Sequence, residues 1–371
     1  MNKKYKILIS GGGTGGHIFP AIAIANGLKN KIPDSNILFV GAKGKMEMEK
    51  VPLAGYPIKG LWISGIQRGL TLKNISFPFK LASSLYKAQK IINTFFPDVV
   101  IGTGGYASGP LLRMAALKNI PTLILEQNSY PGITNKWLGS KVNIICTAYP
   151  DMDKYFPKNK IVITGSPIRK EIKHSHEINP ENARKFFELD KNKFTLLIIG
   201  GSQGAKKMNE GIAANIEQML TLGIQIIWQT GKPSFEMAQK SILNSKFRQY
   251  VKIVDFIHEM DKAYAAADLL ISRAGAIAIA EIIEVAKPAV FVPLPSAAEN
   301  HQEFNARSLV KENAAEMIIE KHLEKEIIPV ITKLIKDSKT RNEIIKNLKS
   351  MQHGDATDKI INEVIKLVEK K

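Results

Sequence analysis

Twice along this chain an apolar run breaks into glycines and then into a helical pattern. The first opening is Ile7-Leu8-Ile9-Ser10-Gly11-Gly12-Gly13, and the second is Leu197-Ile198-Ile199-Gly200-Gly201-Ser202-Gln203-Gly204. Short β-rich runs follow the first at 36–41, 98–103, 121–127, 142–147 and 161–165, with apolar residues at helical spacing over 20–30 and 82–94. The strand at 194–200, which leads into the second opening, is followed by runs at 224–230, 250–256, 268–273 and 288–294. Strands separated by helices indicate parallel βαβ units. The duplication therefore predicts an α/β chain of two Rossmann-like domains in tandem, 1–165 and 166–356, facing a cleft, with a linker near 165–170. An amphipathic helix over 357–370 fits either domain, including the first.

Composition sets bounds on function. A length of 371 residues accords with two domains, and 44% hydrophobic residues suffice for two cores. The single cysteine, Cys146, rules out a disulfide scaffold, and its apolar neighbours mark it as a buried core residue rather than a nucleophile. No signal peptide is visible, and no run approaches the ~18 apolar residues needed to cross a bilayer, so a soluble or peripheral protein is expected. The formal charge of +18 favours an anionic partner: nucleic acid, a nucleotide or an anionic membrane surface.

In doubly wound folds ligands sit beyond the carboxyl ends of the strands, where glycines let backbone amides approach phosphate. Gly11-Gly12-Gly13-Thr14-Gly15-Gly16-His17 formally satisfies the dinucleotide fingerprint. The second strand ends Phe39-Val40-Gly41-Ala42-Lys43, however, without the acid a nicotinamide cofactor needs, so no cofactor is expected. Gly102-Thr103-Gly104-Gly105-Tyr106 is a further glycine turn at a strand end. His17 stands at a helix start, where the dipole favours a neutral imidazole suited to general-base work, or else it is structural. Ser272-Arg273-Ala274-Gly275 ends a strand, and the helix from Ala276 to Glu281 offers first-turn amides to a diphosphate, with Glu281 placed to accept from ribose hydroxyls. The polar run from Glu299 to Asn305 is either a solvated helix start or a sugar-reading one.

These residues together resemble the MurG-type family of N-acetylglucosaminyltransferases, over nearly the whole chain. The matching pieces are Gly12-Gly13-Thr14-Gly15-Gly16-His17, Gly104-Gly105-Tyr106, Glu126-Gln127-Asn128, Gly165-Ser166-Pro167-Ile168-Arg169, Gly200-Gly201-Ser202-Gln203-Gly204-Ala205, Arg273-Ala274-Gly275-Ala276, His301-Gln302 and Asn305-Ala306. The resemblance implies a glycosyltransferase B fold and transfer of N-acetylglucosamine from UDP-N-acetylglucosamine to undecaprenyl-pyrophosphoryl-N-acetylmuramyl pentapeptide (lipid I), making lipid II at the cytoplasmic face of the membrane. It places Thr14, Gly15 and Gly16 near the donor phosphates and sugar, Asn128 on the N-acetylglucosamine, and Arg169 and Ser202 on the donor at the interdomain cleft. Ile257 would meet the uracil through its backbone. Ala276, Ile277, Ala278, Ile279, Ala280 and Glu281 would hold diphosphate and ribose, and Gln302 the sugar hydroxyls. His17 becomes the leading base, with Tyr106 and Glu126 in support.

One position departs from the family, which usually has threonine or serine where this chain has Ala278. A hydrogen bond to a charged group is worth about 1.5–3 kcal/mol, so weaker donor affinity is expected. The implied mechanism is a single in-line displacement with inversion, in which amides and Arg169 stabilise the charge developing on the departing diphosphate. No Asp-x-Asp pair suits a metal-bound diphosphate, since Asp151 and Asp153 lie in a polar loop, and no metal is expected.

Within 61–90, Trp62, Ile63, Ile66, Leu70, Leu72, Ile75, Phe77, Phe79, Leu81 and Leu85 stand among Arg68, Lys73, Lys80 and Lys87. That mixture fits insertion at an anionic membrane surface, or an amphipathic helix facing the core. The runner-up function is a UDP-N-acetylglucosamine 2-epimerase, followed by a galactolipid-forming transferase and a binding module without catalysis. A nucleic-acid binder fits the charge but lacks any recognition motif, so no nucleic-acid partner is expected.

Overall fold

A computed structural model describes residues 4–65, 76–201 and 205–370. The chain divides into two compact units, Met1–Pro167 with His353–Lys371, and Ile168–Gln352. Unit 1 holds a seven-stranded sheet of β1 (Lys6–Gly11), β2 (Asn36–Ala42), β3 (Ile58–Leu61), β4 (Val99–Gly104), β5 (Thr122–Glu126), β6 (Ile144–Thr147) and β7 (Ile161–Ile163). Its order is β3-β2-β1-β4-β5-β6-β7, and every pairing is parallel. Central strands such as β4 and β5 are buried along their whole length. Helices cover both faces of such a sheet, which is why these strands read as unbroken apolar runs rather than alternating ones.

Strand order reverses between β1 and β4, so their carboxyl ends open the crevice where such sheets bind ligands. The register shifts there, between Ser10 and Gly11, and Gly11 pairs with Gly104. Both glycine turns singled out in the first half therefore meet at one point.

The helix Ala356–Glu369 belongs to unit 1 and lies on the helix Gly15–Lys31. Ile360, Ile361, Val364 and Val368 join Ile24, Leu28, Phe39 and Ile101 in one core. Gly27 makes the close approach feasible: a Cβ there would stand 2.4 Å from Ile361 Cδ1. Burying an isoleucine side chain of this kind stabilises by roughly 1.5–3 kcal/mol, so the terminal helix is a substantial part of the unit 1 core.

Unit 2 repeats the plan with β8 (Thr195–Ile199), β9 (Gln225–Gln229), β10 (Val251–Val254), β11 (Leu269–Ser272), β12 (Ala289–Phe291) and β13 (Glu316–Met317). The order is β10-β9-β8-β11-β12-β13, again parallel, with the reversal between β8 and β11. Trp228 is fully buried at its centre, its indole N–H donating to Asn209 Oδ1 at 3.1 Å. The edge strands β3 and β13 were not expected from the sequence. Among the described residues no helix is long and apolar enough to cross a membrane. Of the apolar stretch at 61–90, the helix Phe77–Phe95 buries Ser84, Ala88, Ile91 and Ile92 but leaves Phe79 and Tyr86 exposed, as is Trp62 before it. Ile66, Arg68, Leu70, Leu72, Lys73 and Ile75 lie outside the described residues, as does Ser202.

Candidate active site

At the unit 1 switch point His17 leads the first helix turns, and its Nδ1 lies 2.8 Å from the Thr103 carbonyl. A carbonyl only accepts, so Nδ1 carries a proton, and of the two neutral tautomers this bond selects the one in which Nε2 keeps its lone pair. The Thr103 carbonyl also accepts from Gln127 Nε2 at 3.2 Å, and the Thr103 hydroxyl donates to the His17 carbonyl at 2.7 Å. The imidazole is thus held in the tautomer a base requires.

Two glycines permit this contact. Gly104, at φ +105°, lies so close to the imidazole that a Cβ would stand 2.5 Å from Nδ1, and Gly105, at φ +89°, packs directly on the Gly12 carbonyl. Tyr106 follows, 45% exposed, with its ring lying on Gly65 and 4.0 Å from where a Gly13 Cβ would be. Thr14 is exposed in extended conformation as the helix N-cap, but its hydroxyl makes no cap bond; Gly15 and Gly16 form the first turn.

Glu126 is buried, and both of its oxygens are engaged. Oε1 accepts from the Asn128 backbone and side-chain amides, each at 3.0 Å, and Oε2 accepts from Gly132 N (3.1 Å) and Asn135 Nδ2 (2.9 Å). These four donors fix the side chain, which in turn shapes the loop that carries Asn128.

In unit 2 the helix Ala276–Val285 starts at Gly275 in extended conformation with no side-chain cap and no acid in its first turn. The amides at its start have no partner within the helix, and the macrodipole puts positive potential there. Ala276, Ile277, Ala278 and Ala280 are half-buried, while Ile279 and Glu281 point into the unit. Glu281 Oε1 accepts from Arg169 Nε at 3.0 Å and Nη2 at 2.9 Å, and Oε2 accepts from the buried Tyr264 hydroxyl at 3.0 Å. Burial pushes the Glu281 carboxyl up, against the pull of the Arg169 guanidinium, and burial beside that carboxylate pushes the Tyr264 phenol up strongly.

Two further positions are already partly committed. The Ile257 amide donates to Gln229 Oε1 at 3.0 Å. Gln302 Oε1 accepts from Leu294 N at 2.9 Å, which turns its amide nitrogen into the available donor. Arg273 holds the end of β12 through Val292 O at 2.9 Å and pairs with Glu320. Gln229 and Tyr264 were missed by sequence reasoning: neither stands in a glycine turn or carries a spacing signal, and only their buried hydrogen bonds mark them. Thr103 and Gln127 stand in motifs the sequence singled out, but the motifs gave them no role of their own.

The family models for the Glycosyltransferase family 28 N-terminal and C-terminal domains match residues 7–147 and 195–360. A Flavobacterium psychrophilum protein named UDP-N-acetylglucosamine--N-acetylmuramyl-(pentapeptide) pyrophosphoryl-undecaprenol N-acetylglucosamine transferase is 49% identical over 367 residues, 99% of each chain. The crystal structure of Acinetobacter baumannii MurG matches with a TM-score of 0.81 at 27% identity, over 98% of this chain and 100% of that one. A UDP-N-acetylglucosamine 2-epimerase structure matches with a TM-score of 0.63 over 100% of this chain and 98% of that one, but at 12% identity, a likeness of fold alone. This chain, with its two parallel-sheet α/β units, belongs to glycosyltransferase family 28, among the UDP-N-acetylglucosamine--N-acetylmuramyl-(pentapeptide) pyrophosphoryl-undecaprenol N-acetylglucosamine transferases.

Proposed function

We propose that the protein transfers N-acetylglucosamine from UDP-N-acetylglucosamine to undecaprenyl-pyrophosphoryl-N-acetylmuramyl pentapeptide, with His17 as the base. The observation that carries the assignment of the base is the Thr103 carbonyl on His17 Nδ1, which leaves Nε2 free to accept. The acceptor hydroxyl oxygen attacks the anomeric carbon as its proton passes to Nε2. The bond from that carbon to the diphosphate oxygen breaks, and uridine diphosphate leaves with the electron pair, inverting the sugar centre.

On this reading the first-turn amides of Ala276, Ile277 and Ala278 take up charge as the diphosphate departs, when stabilisation counts most. Ile279 and Ala280 continue the turn, and Arg169 and Glu281 exchange part of their mutual pairing for phosphate and ribose. The Ile257 carbonyl reads the uracil, the Gln302 amide a sugar hydroxyl, and Asn128, held by Glu126, the N-acetylglucosamine. Thr14, Gly15, Gly16 and Tyr106 border the reacting groups, and Ser202 contributes to the donor site. Exposed Trp62, Phe79 and Tyr86, with Lys80 5.9 Å from the Trp62 ring centre, support docking at an anionic surface on the cytoplasmic face of the membrane.

The test is transfer of labelled N-acetylglucosamine from its uridine diphosphate donor to a short-chain lipid I analogue. Label in the lipid product is expected. Label appearing in the 2-epimer of the donor sugar, or remaining in the nucleotide pool while an authentic transferase works beside it, would overturn the proposal.

A further inference from the structure

Glu47 lies just beyond β2 and is completely buried. Its Oε1 accepts from the Ala42 amide at 2.9 Å, and its Oε2 accepts from the Gly13 amide, also at 2.9 Å. The space it fills is kept open by glycines: a Cβ on Gly12 would stand 2.2 Å from Glu47 Oε1, and one on Gly41 2.5 Å from its Cγ. The carboxylate thus bridges the end of β2 to the turn after β1, at a residue held at φ +86°.

That turn is the floor of the site. Gly12 N donates to Gly104 O at 3.3 Å, Gly105 packs on the Gly12 carbonyl, and Gly104 packs on the His17 imidazole. A shift at Gly13 therefore passes through backbone contacts, with no flexible side chain to absorb it, to the ring whose Nε2 does the chemistry. We propose that Glu47 is a positioning residue for the transfer reaction, anchoring the Gly11–Thr14 turn so that His17 is aimed at the acceptor hydroxyl. The inference rests on His17 acting as the base of the proposed function. Glu47 itself touches neither substrate.

The substitution that isolates this role is Glu47→Gln, which keeps the shape but has one acceptor oxygen where two are needed. Whichever way the carboxamide turns, its NH2 faces either the Ala42 or the Gly13 N–H. With full-length protein and the lipid I analogue, kcat should fall about 10–100-fold, the size expected when a reacting group is misaimed by a fraction of an ångström to an ångström. KM for the donor and the affinity for uridine diphosphate should stay within about twofold, because Glu47 belongs to the turn and not to the donor's contacts. The exposed neighbour Glu49, changed to Gln, should behave as wild type. A folded Glu47→Gln variant with wild-type kcat overturns the inference, as does one in which kcat and donor affinity fall together. Hydrogen exchange at the Gly13 amide supplies a reading independent of turnover. Slow exchange in the wild type is expected, and exchange as fast as at Gly15 overturns the anchor even where the variant does not fold. A wild-type enzyme that transfers nothing defeats the proposed function, while the Gly13 amide still judges the anchor.

Discussion

In unit 1 the turn after β1 spends its amides inside the protein, Gly12 N on the Gly104 carbonyl and Gly13 N on the buried Glu47 carboxylate. In unit 2 the turn after β11 runs into a helix whose first amides have no capping side chain and no acid in the first turn. Both are glycine turns at a topological switch point, and in the sequence both suggest a phosphate. The wiring separates them. A carboxylate beneath Gly12 and Gly13 repels an anion from that part of the turn, whereas the unit 2 helix start carries the positive end of the macrodipole with no acid in its first turn. The unit 1 turn packs on a histidine, and the unit 2 turn leads into an uncapped helix start.

The largest effect that tests this contrast is on catalysis. His17→Ala should lower kcat by about 10²–10⁴-fold, the usual contribution of a general base, with uridine diphosphate affinity unchanged. A loss of nucleotide affinity of the same size would mean that unit 1 carries the phosphate after all. Next comes backbone room. Gly105→Ala puts a methyl 2.3 Å from the Gly12 carbonyl at φ +89°, whereas Gly275→Ala meets nothing within 4 Å. A clash on top of a backbone strain of about 1–3 kcal/mol should bring the loss of unit 1 stability to about 3 kcal/mol or more. Replacing an N-cap glycine by alanine should cost unit 2 about 1 kcal/mol or less. Denaturant melts of the two variants check the pair.

Ala278→Ser restores a hydroxyl in the first turn of the unit 2 helix and should tighten uridine diphosphate about tenfold, at the lower end of a charge-assisted hydrogen bond. Calorimetric titration with uridine diphosphate checks this, and a Thr14→Ala variant titrated alongside should move far less. The smallest effect concerns pH. Burial, helped by Lys359 and opposed by a hydrogen bond with the Ala148 backbone, pulls the His353 imidazole below its usual value. The unfolded chain then binds the extra proton first. This contribution to unit 1 stability is present above about pH 6.5 and is lost as the pH falls through that value toward the folded one. His353→Gln should flatten the slope of stability against pH in that window.

Much of this was legible beforehand because parallel strands with helix crossovers leave a strong trace. Most strands stand as apolar runs, and the turns after β1, β4 and β11 stand out by their glycines. Two of the edge strands, β3 and β13, did not, because Ile58–Leu61 and Glu316–Met317 are four and two residues long and owe their pairing to β2 and β12 rather than to any pattern of their own. His17 was visible from its place after the glycines, but its tautomer was not, since that depends on a carbonyl 86 residues away. Glu47 is the sharper case. In Met46-Glu47-Met48-Glu49-Lys50 the two glutamates look interchangeable, yet one is fully buried against the Gly13 and Ala42 amides while the other's side chain is 69% exposed. The spaces left at Gly12 and Gly41 make the difference, and a missing side chain leaves no signal in the glutamate's own neighbourhood.

The helix Ala356–Glu369, seated on Gly27 in the unit 1 core, has a consequence for biosynthesis. Emerging from the ribosome, the first 167 residues lack Ile360, Ile361, Val364 and Val368 and so present an uncovered apolar face. Residues 168–352 have all of their own core as soon as they are made. The half translated first is therefore the half completed last.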